Sequence, residues 1–289
     1  MITVFTPTYN RVYHLNRLYE SLCQQTDKNF EWLVVDDGST DYTEELIDTF
    51  RKEGIIEVRY IKQTNGGKHR AVNRGAREAQ GSLFFIVDSD DYLCKDAIEV
   101  ITNEYKEIEH DKDYCGVCGL RVDNKGEKVG GGYFEKINTT FMDFRYKYKF
   151  KGDMAEVVRT DVMREFPFPE IPGEKFCPEA VVWNRIAQKY KVRYFYKGIY
   201  ICEYLPDGLT HKITKIRMQS PVASMLCYSE LSKYNVPVLT KIKSAINYWR
   251  FWMCGNKPFV EAVRDIGCLN VIFLPMGFLM HVRDVRNVR

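Results

Sequence analysis

Phe84-Phe85-Ile86-Val87 runs without a polar break into Asp88-Ser89-Asp90-Asp91. An unbroken apolar run suits a strand buried on both faces, as in a parallel sheet covered by helices. Three carboxylates within four positions repel one another and hold their charge cheaply only beside a partner. Asp88 and Asp90 have the Asp-x-Asp spacing, and hard oxygens displayed from a rigid strand suit Mg²⁺ or Mn²⁺ that keeps waters and bridges phosphates.

The first hundred residues repeat this design. Expected strands Ile2–Phe5, Phe30–Val35, Ile55–Ile61 and Ser82–Val87 alternate with helical periods. Val12, Leu15, Leu18 and Leu22 form one apolar stripe. Thr40–Lys52 is acidic at its start and basic at its end, as the helix dipole favours, and Gly67–Gln80 is the third helix. Such alternation predicts an α/β fold with a mostly parallel, twisted sheet flanked by helices. Ligands then sit beyond the carboxyl ends of the strands. Three of those ends carry polar clusters: Thr6-Pro7-Thr8-Tyr9-Asn10, Asp36-Asp37-Gly38-Ser39 and Asp88-Ser89-Asp90-Asp91.

Further along, Tyr114–Val122 and Lys128–Phe134 read as strands around the turn Asn124-Lys125-Gly126, and Met154–Arg159 reads as another. Glu179–Tyr190 is expected to be helical and Val192–Tyr204 to form one or two strands. From Ile213 onward the pattern is mostly helical. The charge shifts there too: residues 212–289 hold twelve Lys/Arg and four Asp/Glu, so they carry +8 of a chain whose total is +3. A basic C-terminal quarter points to an anionic neighbour. The expected division is therefore 1–211, with halves 1–111 and 112–211, followed by a helical, basic extension over 212–289.

Asn65-Gly66-Gly67-Lys68-His69-Arg70 opens a helix with close-approach glycines, cationic side chains and free N–H groups, which suits a diphosphate. Asp36-Asp37 offers acceptor-only oxygens for a base or ribose edge, or caps the following helix. Nine scattered cysteines without a framework fit reduced thiols, and Cys115-x-x-Cys118 lacks the second pair of a zinc site. Met1-Ile2-Thr3-Val4-Phe5 has no signal-peptide character, which predicts a cytoplasmic chain.

Val4-Phe5-Thr6-Pro7-Thr8-Tyr9-Asn10-Arg11, Val34-Val35-Asp36-Asp37-Gly38-Ser39-Thr40-Asp41, Asn65-Gly66-Gly67 and Asp88-Ser89-Asp90-Asp91 occur in the order and spacing of family 2 glycosyltransferases. The resemblance covers roughly residues 1–210. It implies the GT-A fold, a Rossmann-like nucleotide-sugar-binding sheet, and a metal-dependent, inverting transfer from a UDP-sugar to a saccharide or undecaprenyl-diphosphate-linked acceptor. By position, Thr6, Pro7, Thr8 and Tyr9 cradle uracil and Asp37 accepts from its ring N–H. Gly67 and Lys68 surround the diphosphate, Asp88 and Ser89 meet the ribose, and Asp90 with Asp88 holds Mn²⁺ or Mg²⁺. His211 after the sheet is a further candidate metal ligand. Val72 stands before Asn73 where many relatives carry Arg, so Lys68 or Arg70 is left to supply that charge.

Relatives place an acidic pair before a Trp-containing helix. Here that place is Pro178-Glu179-Ala180-Val181-Val182-Trp183, so Glu179 matches the catalytic base while Pro178 replaces the first acid. Glu174 competes for the role. A donor- or glycan-binding module without turnover is the alternative reading, and a sugar-1-phosphate nucleotidyltransferase is disfavoured because the first loop lacks glycines. Nothing accompanies the basic residues that would mark a nucleic-acid partner.

Ile266–Val282 contains twelve apolar residues in seventeen, followed by Arg283, Arg286 and Arg289. Pro275 interrupts it, and it is short of the ~20 residues a spanning helix needs. It is expected either to pack on the domain or to lie in an anionic membrane surface at the inner face.

Overall fold

The structure, a computed structural model, describes residues 1–202 and 209–288, with the side chains of 209–211 excepted. Residues 203–208, the side chain of His211 and Arg289 therefore lie outside what is described, and with them the expected metal-ligand role of His211. Two compact units form: Met1–Pro167 with Arg185–Glu203, and Phe168–Asn184 with Tyr204–Arg289.

The first unit begins β1 (Ile2–Thr8), α1 (Leu15–Cys23), β2 (Phe30–Asp36), α2 (Thr43–Glu53), β3 (Val58–Lys62), α3 (Lys68–Glu78) and β4 (Leu83–Ile86). It continues with β5 (Tyr92–Leu93), α4 (Ala97–Lys106), β6 (Tyr114–Val122), β7 (Ile137–Thr139), α5 (Phe141–Tyr146), β8 (Met154–Arg159) and α6 (Thr160–Glu165). After α7 (Ala180–Ile186), β9 (Lys191–Ile201) completes a sheet ordered β3-β2-β1-β4-β8-β6-β9-β5, with β7 also on β9. β3, β2, β1 and β4 are mutually parallel. β8 runs antiparallel between β4 and β6, and β9 returns parallel to β6. The mostly parallel α/β sheet is thus as expected.

All seven residues of β1 and of β2 are buried, as strands covered on both faces require. Leu15, Leu18 and Leu22 of α1 meet Trp32 of β2 and Phe50 of α2 in one core, where Tyr19 stacks on Phe50 at 3.9 Å. Glu31 is a wholly buried carboxylate on β2. It accepts from Thr3 Oγ1 (2.6 Å), the Gln80 backbone N–H (2.6 Å) and Arg59 (2.7 Å). Burial raises its carboxyl, but these donors outweigh that and hold it below the ordinary glutamate range.

One expectation needs correction. Lys128–Phe134 is not a strand; only a single bridge joins Val122 to Lys128, and Gly130 and Gly132 turn away at positive φ. The aromatic stretch after Thr140 begins as a helix, α5, capped by the Thr140 hydroxyl accepting from Asp143 N–H.

The second unit holds α8 (Leu209–Gln219), α9 (Pro221–Lys233), α10 (Val238–Trp252), α11 (Phe259–Ile266), a 3₁₀ turn (Cys268–Phe273) and α12 (Leu274–Val288). Its core gathers Met225, Tyr248, Trp249, Phe251 and Ile266. α12 lies on α10 by its small and polar face. A Cβ at Gly277 would come within 2.6 Å of Trp249 Cβ, and Asp284 pairs with the Arg250 guanidinium through both carboxylate oxygens. The opposite face is apolar and exposed: Leu269, Ile272, Met276 and Leu279 follow one another at helical spacing. By length and composition, Cys268–Val288 meets the requirement for crossing a membrane.

Candidate functional site

The carboxyl ends of β1, β2 and β4 lie side by side because these strands are adjacent and parallel. Backbone and side-chain bonds stitch the first two ends together. Asp37 N–H donates to Thr8 O (2.8 Å), Asn10 N–H to Ser39 Oγ (2.8 Å) and Thr40 N–H to Asn10 Oδ1 (2.8 Å). Asn10 takes a positive φ of 51° to make this turn.

The residues of the first loop divide by role. Thr6 is wholly buried and its hydroxyl accepts from the Trp32 indole N–H at 3.0 Å. It belongs to the core, which corrects its expected donor contact. Thr8 Oγ1 is buried with no hydrogen-bond partner among the described residues, Pro7 is buried, and Tyr9 turns its ring outward.

Asp36 is buried by its own partners, accepting from Ser39 N–H (2.8 Å) and the Tyr60 hydroxyl (2.6 Å). Burial and the Asp36 charge push the Tyr60 phenol up. Asp37 clamps the third loop. Oδ1 accepts from Gln63 Nε2 (2.8 Å) and Gly66 N–H (2.9 Å), while Oδ2 accepts from Asn65 Nδ2 (3.1 Å) and Gly67 N–H (2.7 Å). A carboxylate has about four lone-pair sites, and the chain itself engages all of them. The expected uracil contact would have to compete with this clamp. Its product is the turn at Gly67, whose φ of 99° favours glycine and which delivers Lys68 as the first residue of α3.

Lys68 Nζ lies 2.6 Å from Asp88 Oδ1, so the third loop is tied by charge to the end of β4. Burial opposes the Asp88 charge, but Lys68 and Arg121 outweigh it and hold the carboxyl below its ordinary value. Ser89 is buried. Asp90 is half-buried, and its carboxylate makes no hydrogen bond or ion pair among the described residues. No cluster of three or more His, Cys, Asp or Glu capable of holding a metal occurs among the described residues.

Sequence reasoning missed Tyr200, in the middle of no motif. Its hydroxyl accepts from Asp88 N–H (3.1 Å) and donates to Asp91 Oδ2 (2.6 Å), while the Arg121 guanidinium lies over its ring at 4.3 Å. Burial, and then the Asp88 charge, pushes the phenol well up, so it stays a donor. Nothing in the local sequence marks Tyr200; its role comes from β9 carrying it to the far side of the β4 turn.

Residues 3–164 match the family model described as "Glycosyl transferase family 2". The chain belongs to glycosyl transferase family 2. An uncharacterised glycosyltransferase of Rickettsia felis is 36% identical over 262 residues, 85% of this chain but 37% of that protein. The poly(ribitol-phosphate) beta-N-acetylglucosaminyltransferase TarP of Staphylococcus aureus is 31% identical over 144 residues, 49% of this chain and 43% of its own length. This family 2 chain therefore spans about two fifths of the length of these curated relatives. In three dimensions, S. aureus TarS residues 1–349 align over 99% of this chain and 89% of theirs, with TM-score 0.66 at 18% identity, which establishes the shared GT-A fold.

The second unit holds the two candidate bases. Glu174 is buried and accepts from Val222 N–H (2.7 Å) and Ala223 N–H (2.9 Å), one on each oxygen. It caps the start of α9, with both oxygens engaged by backbone donors. Glu179 is exposed at the start of α7, its carbonyl receiving the first helical bonds from Val182 and Trp183.

Proposed function

We propose that this family 2 chain transfers a sugar from a UDP-sugar to a saccharide or lipid-linked saccharide acceptor, with inversion at the anomeric carbon. The observation that carries the reading is the end of β4, where Lys68 neutralises Asp88 while Asp90 keeps a carboxylate open to an outside cation. TarS has been crystallised with UDP and with UDP-GlcNAc, which supports a uridine donor and makes an N-acetylhexosamine the first sugar to try.

The residues fit a divalent cation of the kind that keeps its waters. One unengaged hard oxygen ligand, Asp90, stands beside a second carboxylate, and a donor's diphosphate completes the set. When bound, Mn²⁺ or Mg²⁺ would neutralise the charge that develops on the leaving diphosphate. A mannosyltransferase of the same fold, from Pyrobaculum calidifontis, carries GDP-Man and Mn²⁺ (TM-score 0.55, 16% identity).

The chain's own residues do the rest. Thr8 Oγ1 and Tyr9 meet the base, and the α3 N-terminus with Lys68 faces the phosphates. Glu179 takes the proton of the attacking hydroxyl, a role that rests on its position in the motif. The binding-module alternative rests on Pro178, which stands where relatives carry an acid. UDP release with and without Mn²⁺ separates them. Turnover abolished by Asp90→Ala and by Glu179→Gln supports the transferase. Donor binding without any turnover in the wild type overturns it.

We further propose that the second unit rests on an anionic membrane at its cytoplasmic face. α12 is fixed inward by Gly277 and Asp284, so its apolar stripe faces out, and Arg283 and Arg286 continue along the same helix. Apolar surface rimmed by arginines is complementary to acidic headgroups. A spanning helix would bury the Asp284–Arg250 pair in lipid, so peripheral attachment is the reading adopted.

A further inference from the structure

Residues 123–153 run from the carboxyl end of β6 to the amino end of β8, adding β7 to the amino half of β9 on the way. Both ends lie on the edge that carries Asp88, because β6 runs parallel to β4 and β8 lies antiparallel between them. This excursion borders an open cavity of about 430 Å³. Phe134 and Phe150, both buried, form its floor and meet edge-to-face at 5.3 Å. Tyr133 and Tyr148 stand at its rim, 74% and 49% exposed, with Lys149 and Lys151 beside them.

An exposed aromatic rim over an aromatic floor is not how a loop closes on itself. Burying Tyr133 would remove apolar area from water at ~25 cal/mol per Å², yet the chain leaves it out. The backbone is held in an uncommon conformation to keep this shape. Lys149 has a φ of +56°, and Phe150 N–H returns to Phe144 O at 3.2 Å. Residues 128–151 include six Lys/Arg and only two Asp/Glu. Lys136 is spent on Glu104, and Lys128 lies over the faces of Phe150 and Tyr196. Lys149 and Lys151 form no ion pair among the described residues.

We propose that this cavity is a glycan subsite, taking sugar rings of an acidic chain on Tyr133 and Tyr148 and its carboxylate or phosphate groups on Lys149 and Lys151. Pyranose rings present flat C–H faces that pack on aromatic rings, while their hydroxyls stay in water; the two ammonium groups add charge complementarity. Phe144 and Tyr133 pack on Tyr194 and Tyr196 of β9, four to six residues before Tyr200, so roughly 13–20 Å along the strand lies between this cavity and the β4 turn, a span for a chain of several sugar units. The inference deepens the transferase reading, assigning the acceptor as an anionic polysaccharide rather than a neutral one.

Calorimetry in the absence of donor tests it, with tetragalacturonate, phosphorylated mannohexaose and neutral maltohexaose as probes. The wild type should bind both acidic probes more tightly than maltohexaose. Tyr133→Ala/Tyr148→Ala, at exposed positions that leave the fold intact by melting temperature, should weaken the acidic probes about tenfold or more, ~1.4 kcal/mol. Lys149→Ala/Lys151→Ala should remove the preference over maltohexaose and flatten its salt dependence. Preference for one acidic probe identifies carboxylate or phosphate as the charge recognised. No binding of either acidic probe up to about 10 mM, or variants that bind them as the wild type does, overturns the subsite. UDP binding, measured in parallel, should be unchanged in every variant; its absence in the wild type would instead overturn the donor reading and leave the glycan result standing.

Discussion

Tyr200 donates its hydroxyl to Asp91 Oδ2 at 2.6 Å, and the hydroxyl oxygen accepts from the backbone N–H of Asp88 at 3.1 Å. One phenol from β9 thus fixes both ends of the carboxylate turn, and the Arg121 guanidinium over its ring keeps the neighbourhood positive. Tyr200→Phe keeps the packing but removes a donor from the buried Asp91 carboxylate and the hydroxyl acceptor from the Asp88 N–H. A loss of about 1–3 kcal/mol in urea unfolding is expected, with weaker UDP-dependent thermal protection. A variant with wild-type stability and wild-type UDP protection would show that the turn holds itself.

Lys68→Met tests the pair that joins the third loop to β4. The folded carboxyl of Asp88 lies below its ordinary value, so the charged form persists down through the ordinary Asp range and is lost only as pH falls through the depressed value. Removing Lys68 takes away the nearest cation, so the acid limb of UDP affinity should move to higher pH. A titration between pH 3 and 7 reads it; an unmoved limb would mean that Arg121 alone sets the charge.

Glu31 gives a stability test independent of ligand. Its depressed carboxyl contributes stability above the ordinary glutamate range, and that contribution disappears as pH falls through the folded value. Glu31→Gln leaves Arg59 without its buried partner and should cost about 3 kcal/mol at pH 7. The gap to wild type should start to narrow as pH falls below the ordinary glutamate value, ~4.3, and close only below the depressed folded value. Denaturant melts at pH 7 and pH 3.5 provide the comparison.

The strand ends were legible because their signals are local. Period-two and helical patterns alternate, and Phe84–Val87 stops at charged residues, so the edge bearing Asp37 and Asp88 could be placed from the chain alone. Roles that depend on distant packing were not. Thr6 and Thr8 look equivalent in sequence, yet the Trp32 indole claims one and leaves the other open. Tyr200 acts 112 residues from Asp88. Lys128–Phe134 alternates like a strand, but its positive-φ glycines take it away from a ladder partner. Glu174 is read correctly only once α9, 48 residues on, is seen to end on it.

Glu174 and Glu179 should therefore separate in a paired experiment. Glu174→Gln weakens the cap on two backbone donors and should lower stability by about 1–2 kcal/mol, with turnover following only the fraction folded. Glu179→Gln, at an exposed helix start, should leave the melting temperature within a degree or two and remove sugar transfer. Thermal melts beside UDP-release assays distinguish them. The opposite pattern, a stable Glu174→Gln without turnover, would make Glu174 the base.

The apolar stripe of α12 makes the last prediction. Ile272 and Leu279 are 75% and 68% exposed, while Gly277 and Asp284 on the other side hold the helix to α10. Ile272→Asp/Leu279→Asp changes only the outward face, so the fold should survive and lipid contact should not. Co-sedimentation with vesicles of phosphatidylglycerol and phosphatidylcholine reads the difference. The wild type should pellet with the acidic vesicles, less so at high salt because the headgroup attraction is screened, and the variant should stay in the supernatant. Equal partition of the two proteins would assign the stripe to a protein partner, and binding unaffected by salt would remove the arginines from the account.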